Sequence, residues 1–158
     1  MNSSLGPLRI YHRKLPHWRI AGASYNVTWR LYDRSVPLLP AERTIVLDAL
    51  RYFRRKRYDL FACVVMDDHV HTIVRPFEDV ELSAITHTWK SYSARELQQQ
   101  GFRIGQVWQH ESYDRIIRST RDQWEKTCYI QNNPIRRWPE LRTYPWVWPP
   151  LDGIDASV

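Results

Sequence analysis

The stretch YDLFACVVMDDHVHTIVRP, Tyr58 to Pro76, decides the fold. Two runs rich in β-branched and aromatic residues, 58 to 66 and 69 to 76, flank Asp67-Asp68, a pattern that predicts a tight antiparallel pair of strands. Side chains alternate between the faces of a strand, so His69 and His71 point to the same side. Their Cβ atoms are then close enough for both imidazoles to grip one cation. The hairpin therefore poses a chemical question, why two imidazoles follow directly on two carboxylates.

The flanking sequence supplies the rest of a sheet. Residues 24 to 32, SYNVTWRLY, alternate so that Tyr25, Val27, Trp29 and Leu31 share one face of an earlier strand. Pro40 opens a helix whose apolar positions Val46, Ala49, Leu50 and Phe53 recur at helical spacing as far as Arg55. A second helix is expected from about Val80 to Gln100, with Gly101 as its left-handed stop. Residues 107 to 118 read as a further strand. Thr120-Arg121-Asp122-Gln123 reads as a capping box opening a last helix that Pro134 ends. The order β-α-β-β-α-β plus a helix predicts an α+β fold, ferredoxin-like and RRM-like. Its antiparallel sheet would carry both crossover helices on one face, with the C-terminal helix bearing Tyr129. The Trp- and Pro-rich tail, 139 to 158, is expected to wrap the surface without adding an element, and the core to span about 17 to 138 of a single domain, 1 to 158.

Composition limits the functional classes. The 158 residues, 43% of them apolar, can build one hydrophobic core. No run approaches the roughly 18 apolar residues of a membrane span, and MNSSLGPLRIYHRK lacks a secretory apolar region, so a cytoplasmic location is expected. Cys63 and Cys128 show no disulfide or zinc spacing and are read as reduced packing residues. A net charge of +6 points to a polyanionic partner. Arg51, Arg54, Arg55, Lys56 and Arg57 crowd one helix end, and Arg115, Arg118, Arg121, Arg136 and Arg137 lie near another. The eight Trp and nine Tyr among these cations offer faces for unstacked bases, although most must be core. Lys90, Arg54, Arg118 and Arg136 are candidate phosphate contacts.

An isolated H-x-H serves equally as a metal site or as two hydrogen-bonded histidines, so a third ligand is needed. Tyr129 and Asn133, four residues apart on the last helix, share one of its faces about 6 Å apart along the axis. Asn133 would contribute a hard oxygen and Tyr129 a hydroxyl; equally, Asn133-Pro134 reads as a helix stop and Tyr129 as a core ring. Two imidazoles, one amide oxygen and open water positions suit Mg²⁺ or Mn²⁺ better than structural zinc. Asp67, Asp68 and Asp114 are candidates to orient the imidazole N–H groups. Tyr113, on a strand and without a ligand four residues on, ranks below Tyr129 as a nucleophile. Tyr92 reads as packing or a base-stacking surface.

Taken in order, His69-Val70-His71 after an acidic turn, Val107-Trp108-Gln109, Tyr113-Asp114-Arg115-Ile116-Ile117-Arg118 and Tyr129-Ile130-Gln131-Asn132-Asn133-Pro134 resemble the REP-associated tyrosine transposases. These are relatives of the single-tyrosine HUH insertion-sequence transposases, and the likeness runs from about His17 to Trp148. The resemblance implies His69, His71 and Asn133 as ligands of Mg²⁺ or Mn²⁺ and Tyr129 as nucleophile. It implies a single-stranded DNA endonuclease and strand transferase acting through a 5′-phosphotyrosine on hairpin DNA of bacterial chromosomal REP sequences, hence a place in the nucleoid. A dimer with exchanged tyrosine helices and a monomer are both compatible with the resemblance. Some members carry a histidine where Arg115 stands, and the short chain beyond Asn133 implies no long regulatory tail. Two other classes compete. One is a non-catalytic ssDNA- or RNA-binding RRM-like module, though no RNP-like run is present. The other is an HUH replication initiator or relaxase, for which the chain shows no helicase or second-tyrosine motif.

Overall fold

Alternation in four strands and the apolar faces of two helices generate the central layer. The computed structural model describes residues 8–12, 16–20 and 22–150. The end of the tail, 151–158, lies outside the described residues, as do residues 1–7 of the N-terminal segment. A two-stranded antiparallel ribbon, β1 (Leu8–His12) and β2 (Pro16–Ile20), comes first. Then follow β3 (Tyr25–Leu31), α1 (Pro40–Tyr52), β4 (Tyr58–Val65), β5 (His69–Pro76), α2 (Leu82–Gln99), β6 (Trp108–Ile116), α3 (Thr120–Arg137) and β7 (Val147–Trp148).

The main sheet has the order β6-β3-β5-β4-β7, antiparallel at every step. β3 and β4 therefore run parallel across α1, and β5 and β6 run parallel across α2. This is the split βαβ, ferredoxin-like arrangement of an α+β protein. Among the described residues no helix is long and apolar enough to cross a membrane.

One face of the sheet is a dry aromatic core. Tyr25, Val27, Trp29 and Leu31 from β3, with Val70 and Val74 from β5, bury against Leu50 of α1 and Ile85, Trp89 and Leu97 of α2. Trp29 stacks on Trp89 with ring centroids 5.6 Å apart and meets the edge of Trp108 at 6.2 Å. A buried ring N–H or hydroxyl needs a partner. Trp89 Nε1 donates to Tyr58 Oη at 2.8 Å, Tyr58 Oη donates to the Leu50 carbonyl at 2.6 Å, and Trp108 Nε1 donates to Ser93 Oγ at 3.0 Å. Cys63 packs in this core, where burial pushes its thiol up to about 12. The other face is only partly covered: Ala62, Val64, Met66 and Ile73 lie beneath Ile130 of α3 and Tyr144 and Val147 of the tail.

Several boundaries differ from the sequence expectations. α1 ends at Tyr52, short of Arg55, because Arg55 adopts a left-handed φ of 66° and its N–H turns back to the Tyr58 carbonyl at 2.6 Å. The cap of α3 is Ser119, one residue before the Thr120 of the expected capping box. Ser119 Oγ accepts from the Asp122 N–H, and the Asp122 carboxylate accepts from the Arg118 N–H, each at 3.0 Å. Pro134 does not stop the helix. Its missing N–H and its ring disturb only the bond to Ile130, and with both residues buried against the sheet the helix continues to Arg137. The tail adds a short strand, β7, beside β4, where a surface wrap was expected. Tyr144 Oη anchors it by donating to the Val65 carbonyl at 2.7 Å.

Candidate functional site

The β4–β5 turn shapes the site before any side chain reaches it. Its two carboxylates are buried and are already committed to separate tasks. Asp68 Oδ2 accepts from Arg34 Nε and Nη2 at 3.0 and 2.7 Å, while Asp68 Oδ1 lies 2.6 Å from His69 Nδ1. Burial works to raise the Asp68 pKa, but the hydrogen bonds from His69 and Arg34 outweigh it and hold the carboxyl below its usual range. An ionised carboxylate only accepts, so Nδ1 of His69 carries the proton and Nε2 presents its lone pair. Asp67 instead accepts from Arg137 Nη2 at 2.8 Å and thereby ties the end of α3 to the turn.

Register then places the second imidazole. His71 pairs with Thr28 across β3, and its Nδ1 lies 2.7 Å from Thr28 Oγ1. In the tautomer in which Nδ1 donates to that hydroxyl, the Nε2 lone pair of His71, like that of His69, is the one open to a cation. The rings stand at 85° with centroids 4.7 Å apart. Burial, with the neighbouring His69 and Arg30, lowers the His71 pKa to about 3, so this imidazole is neutral with its lone pair available.

α3 brings Tyr129 to this pair. Its ring lies edge-on to His71 with centroids 5.9 Å apart, and it is 44% exposed, open to a bulky substrate. Asn133 sits one turn further on, half-buried; the shared helix face directs its carboxamide the same way as Tyr129. Among the described residues no three His, Cys, Asp or Glu side chains group to hold a metal. A cation here would thus take two imidazole nitrogens and complete its set with oxygens such as that of Asn133. That donor set suits Mg²⁺ or Mn²⁺ with bound water. Arg136 places its guanidinium 4.8 Å over the Tyr129 ring.

The remaining sequence candidates scatter. Asp114 pairs in register with Val27, on the sheet face opposite His71, so it does not orient either imidazole. Lys90 spends its ammonium on the Gln109 and His110 carbonyls at 2.6 and 3.0 Å, fixing α2 to β6 beside an open cleft of about 470 Å³. Arg54 stacks on Trp148 at 4.4 Å, on the side of the tail strand. Arg118 is exposed just before α3. Tyr113 is half-exposed and pairs with Thr28, on the His71 face but two strands from β5. Arg115 pairs with Asn26 on that same face.

Sequence reasoning missed Thr28 and Arg34, and read Arg137 only as part of a basic cluster, not as the partner of Asp67. Thr28 was legible in principle, since Asn26, Thr28 and Arg30 are the polar half of the alternation that identified the strand. Arg34 and Arg137 are contacts across long stretches of chain, and nothing local signals them.

The family model described as "Transposase IS200 like" matches residues 23–133. No curated protein matches the chain by sequence. Among solved structures, a REP-associated tyrosine transposase bound to a REP hairpin superposes with a TM-score of 0.71 at 23% identity, covering 87% of this chain and 80% of that one. A crystal structure from Deinococcus radiodurans R1, described as a candidate transposase, superposes with a TM-score of 0.52 at 21% identity, covering 69% of this chain and 88% of that one. At these identities the superpositions speak for the fold.

Proposed function

The chain belongs to the IS200-like transposase family, and on that premise we propose that it nicks and rejoins single-stranded DNA beside REP-type hairpins with Tyr129 as nucleophile. The observation that carries this reading is the placement of Tyr129, whose ring lies 5.9 Å from that of His71 while the imidazoles of His69 and His71 lie 4.7 Å apart. Hairpin DNA as substrate follows from the likeness to a relative captured on a REP hairpin.

Tyr129 Oη attacks the scissile phosphorus in line. The new P–O bond to the phenol forms as the bond to the 3′-oxygen breaks, the phenolic proton is lost to solvent, and the departing 3′-oxygen takes one up. The products are a 5′-phosphotyrosine and a free 3′-hydroxyl. Attack by another 3′-hydroxyl reverses the step, so the bond energy is kept in the protein–DNA linkage and no nucleotide cofactor is needed.

His69, His71 and Asn133 would hold Mg²⁺ or Mn²⁺, which when bound supplies Lewis acidity to the phosphate oxygens. The protein's own part is orientation. Asp68 fixes His69, Thr28 fixes His71, and the Asp67–Arg137 pair holds α3 so that Tyr129 faces both. Arg136 offers positive charge where the phosphate must dock. The chain is read as a single domain, and whether it acts as a monomer or as a dimer that exchanges tyrosine helices, the unit that acts is Tyr129 set beside His71. Its workplace is the bacterial nucleoid, where such DNA resides.

The test is incubation of wild type, Tyr129→Phe and His69→Ala with labelled hairpin DNA and Mn²⁺, read on a denaturing gel. A protein–DNA adduct that needs the ion and vanishes in both variants is the expected result. Binding without cleavage across a broad hairpin panel would overturn the reading in favour of a non-catalytic module.

A further inference from the structure

Away from the imidazole pair, in the seam where α1 packs on α2, lies a small apolar slot. Ala49, Tyr52, Phe53, Thr88 and Tyr92 line a volume of about 160 Å³. That is close to the ~150 Å³ of an engineered cavity that accepts benzene, so one flat ring fits. Its two rims are tyrosines that fold stability leaves uncovered, Tyr52 at 67% and Tyr92 at 42% exposed. Tyr52 meets Phe53 edge-on at 4.6 Å, so the floor of the slot is itself aromatic.

The turn that follows α1 carries Arg54, Arg55, Lys56 and Arg57, and none of these four forms an ion pair with a carboxylate among the described residues. Arg57 lies 5.5 Å over the Phe53 ring and donates to Thr88 Oγ1 at 3.4 Å, so the turn is braced against the wall of the slot. Arg55 is held at φ 66°, a conformation costly for a residue with a Cβ, and it and Lys56 remain exposed. An aromatic slot beside uncompensated cations is the pairing that single-stranded nucleic acid recognises, a base on the ring faces and phosphates on the cations.

We propose that this slot and turn form a second binding site for single-stranded DNA, taking one unstacked base between Tyr52 and Tyr92 with its flanking phosphates on Arg55 and Lys56. The site lies on the helix side of the sheet, whereas His69 and His71 project from the other side, so it holds strand that is not being cut. It rests on the DNA-acting reading above but not on the identity of the nucleophile. Duplex DNA keeps its bases stacked and offers nothing to the slot, which makes the site a discriminator between flanking single strand and hairpin stem.

The experiment uses the full chain in EDTA, so that no cleavage intervenes. Fluorescence anisotropy follows a labelled oligo(dT) single strand and a duplex over a salt series, for wild type, Tyr52→Ala/Tyr92→Ala and Arg55→Ala/Lys56→Ala. Because these residues are exposed, thermal denaturation should show each variant folded as wild type. We expect the tyrosine variant to lose roughly 10-fold in single-strand affinity with an unchanged salt slope and unchanged duplex binding. The basic variant should lose about 1.4 units of the single-strand salt slope, two contacts at about 0.7 each. In parallel, 5-iodouracil placed in the strand should crosslink to Tyr52 or Tyr92. Unchanged single-strand affinity in the tyrosine variant, equal losses on single strand and duplex, or crosslinks confined to other residues would each overturn the proposal. A protein that binds in this way but forms no adduct with Mn²⁺ would leave the second site standing and remove the nuclease reading instead.

Discussion

The two faces of the central sheet are made by the same strands and have opposite characters. On one, Trp29, Trp89 and Trp108 interlock, the ring N–H groups of Trp89 and Trp108 bonded to Tyr58 and Ser93 while that of Trp29 is enclosed without a partner, and α1 and α2 seal them from water. On the other, the alternate residues of those strands, Thr28, His69 and His71, stand half-buried beside one docked helix. The contrast teaches that a period of two separates stability from chemistry at the resolution of a single residue. A side chain one position along contributes to the core, and its neighbour contributes to the site.

The sharpest way to test that separation is to remove chemistry and leave the core alone. Tyr129→Phe should abolish the covalent adduct to background on a denaturing gel while leaving the urea midpoint unchanged, because the hydroxyl of an exposed ring supports nothing in the fold. A large loss of stability would mean that the two faces are not separable.

The reverse substitution comes next. Trp89→Ala removes the ring that stacks on Trp29 and donates to Tyr58, and should cost about 3–5 kcal/mol by urea denaturation. Adduct formation per folded molecule should change little, since the histidines project from the far side of the sheet. If cleavage collapsed in proportion beyond the folded fraction, the aromatic face would have to be shaping the site.

Between the faces lies the Asp67–Arg137 pair, which joins a turn to the helix that carries Tyr129. Arg137→Ala leaves Asp67 buried with neither oxygen bonded, for its Oδ1 already has no partner. We expect a cost of about 2 kcal/mol and faster amide exchange confined to the last turns of α3, read by hydrogen-exchange mass spectrometry. Uniform exchange across the protein would show that the pair is part of the global fold and not a local clasp.

The smallest effect is graded with pH. His71 titrates at about 3 when folded against about 6.5 unfolded. Below pH 6.5 the unfolded chain therefore binds a proton that the folded one refuses. The contribution of the neutral imidazole is complete above pH 6.5 and is lost as the pH falls toward 3, at no more than about 1.4 kcal/mol per pH unit. In metal-free protein the urea midpoint should drift down from pH 6.5 to 5, and His71→Gln should flatten that drift. An equal drift in the variant would assign it elsewhere, with Asp68 as the next group whose protonation at lower pH weakens the turn.

Much of this was legible in the sequence because it depends on neighbours along the chain. Alternation in 24 to 32 and the paired runs around Asp67-Asp68 specified the strands, and helical spacing specified α1 and α2, since burial of a face imposes its period locally. The H-x-H spacing put both imidazoles on one side, and Tyr129 and Asn133 four apart put phenol and amide on one face of a helix. Boundaries failed where a neighbour outside the local window decided. Pro134 stays helical because the sheet buries it, and Val147-Trp148 becomes a strand because β4 had an open edge. The roles of the acids were also out of reach. Asp67, Asp68 and Asp114 look alike in sequence, yet register sends Asp114 to the wrong face and long-range partners give Asp68 to His69 and Asp67 to α3.

The sequence by itself determined which residues alternate, which recur every turn, and hence the sheet, its helices and the two halves of the candidate site. The tertiary structure alone decided that those halves meet, because the docking of α3 on the open face depends on Ile130 beneath the helix, Arg137 at its end and the tail strand beside it. Those contacts join residues as far apart in the chain as Cys63 and Trp148, and no local pattern records them. Local periodicity encodes which way a side chain points, whereas what it points at is set by packing between distant segments.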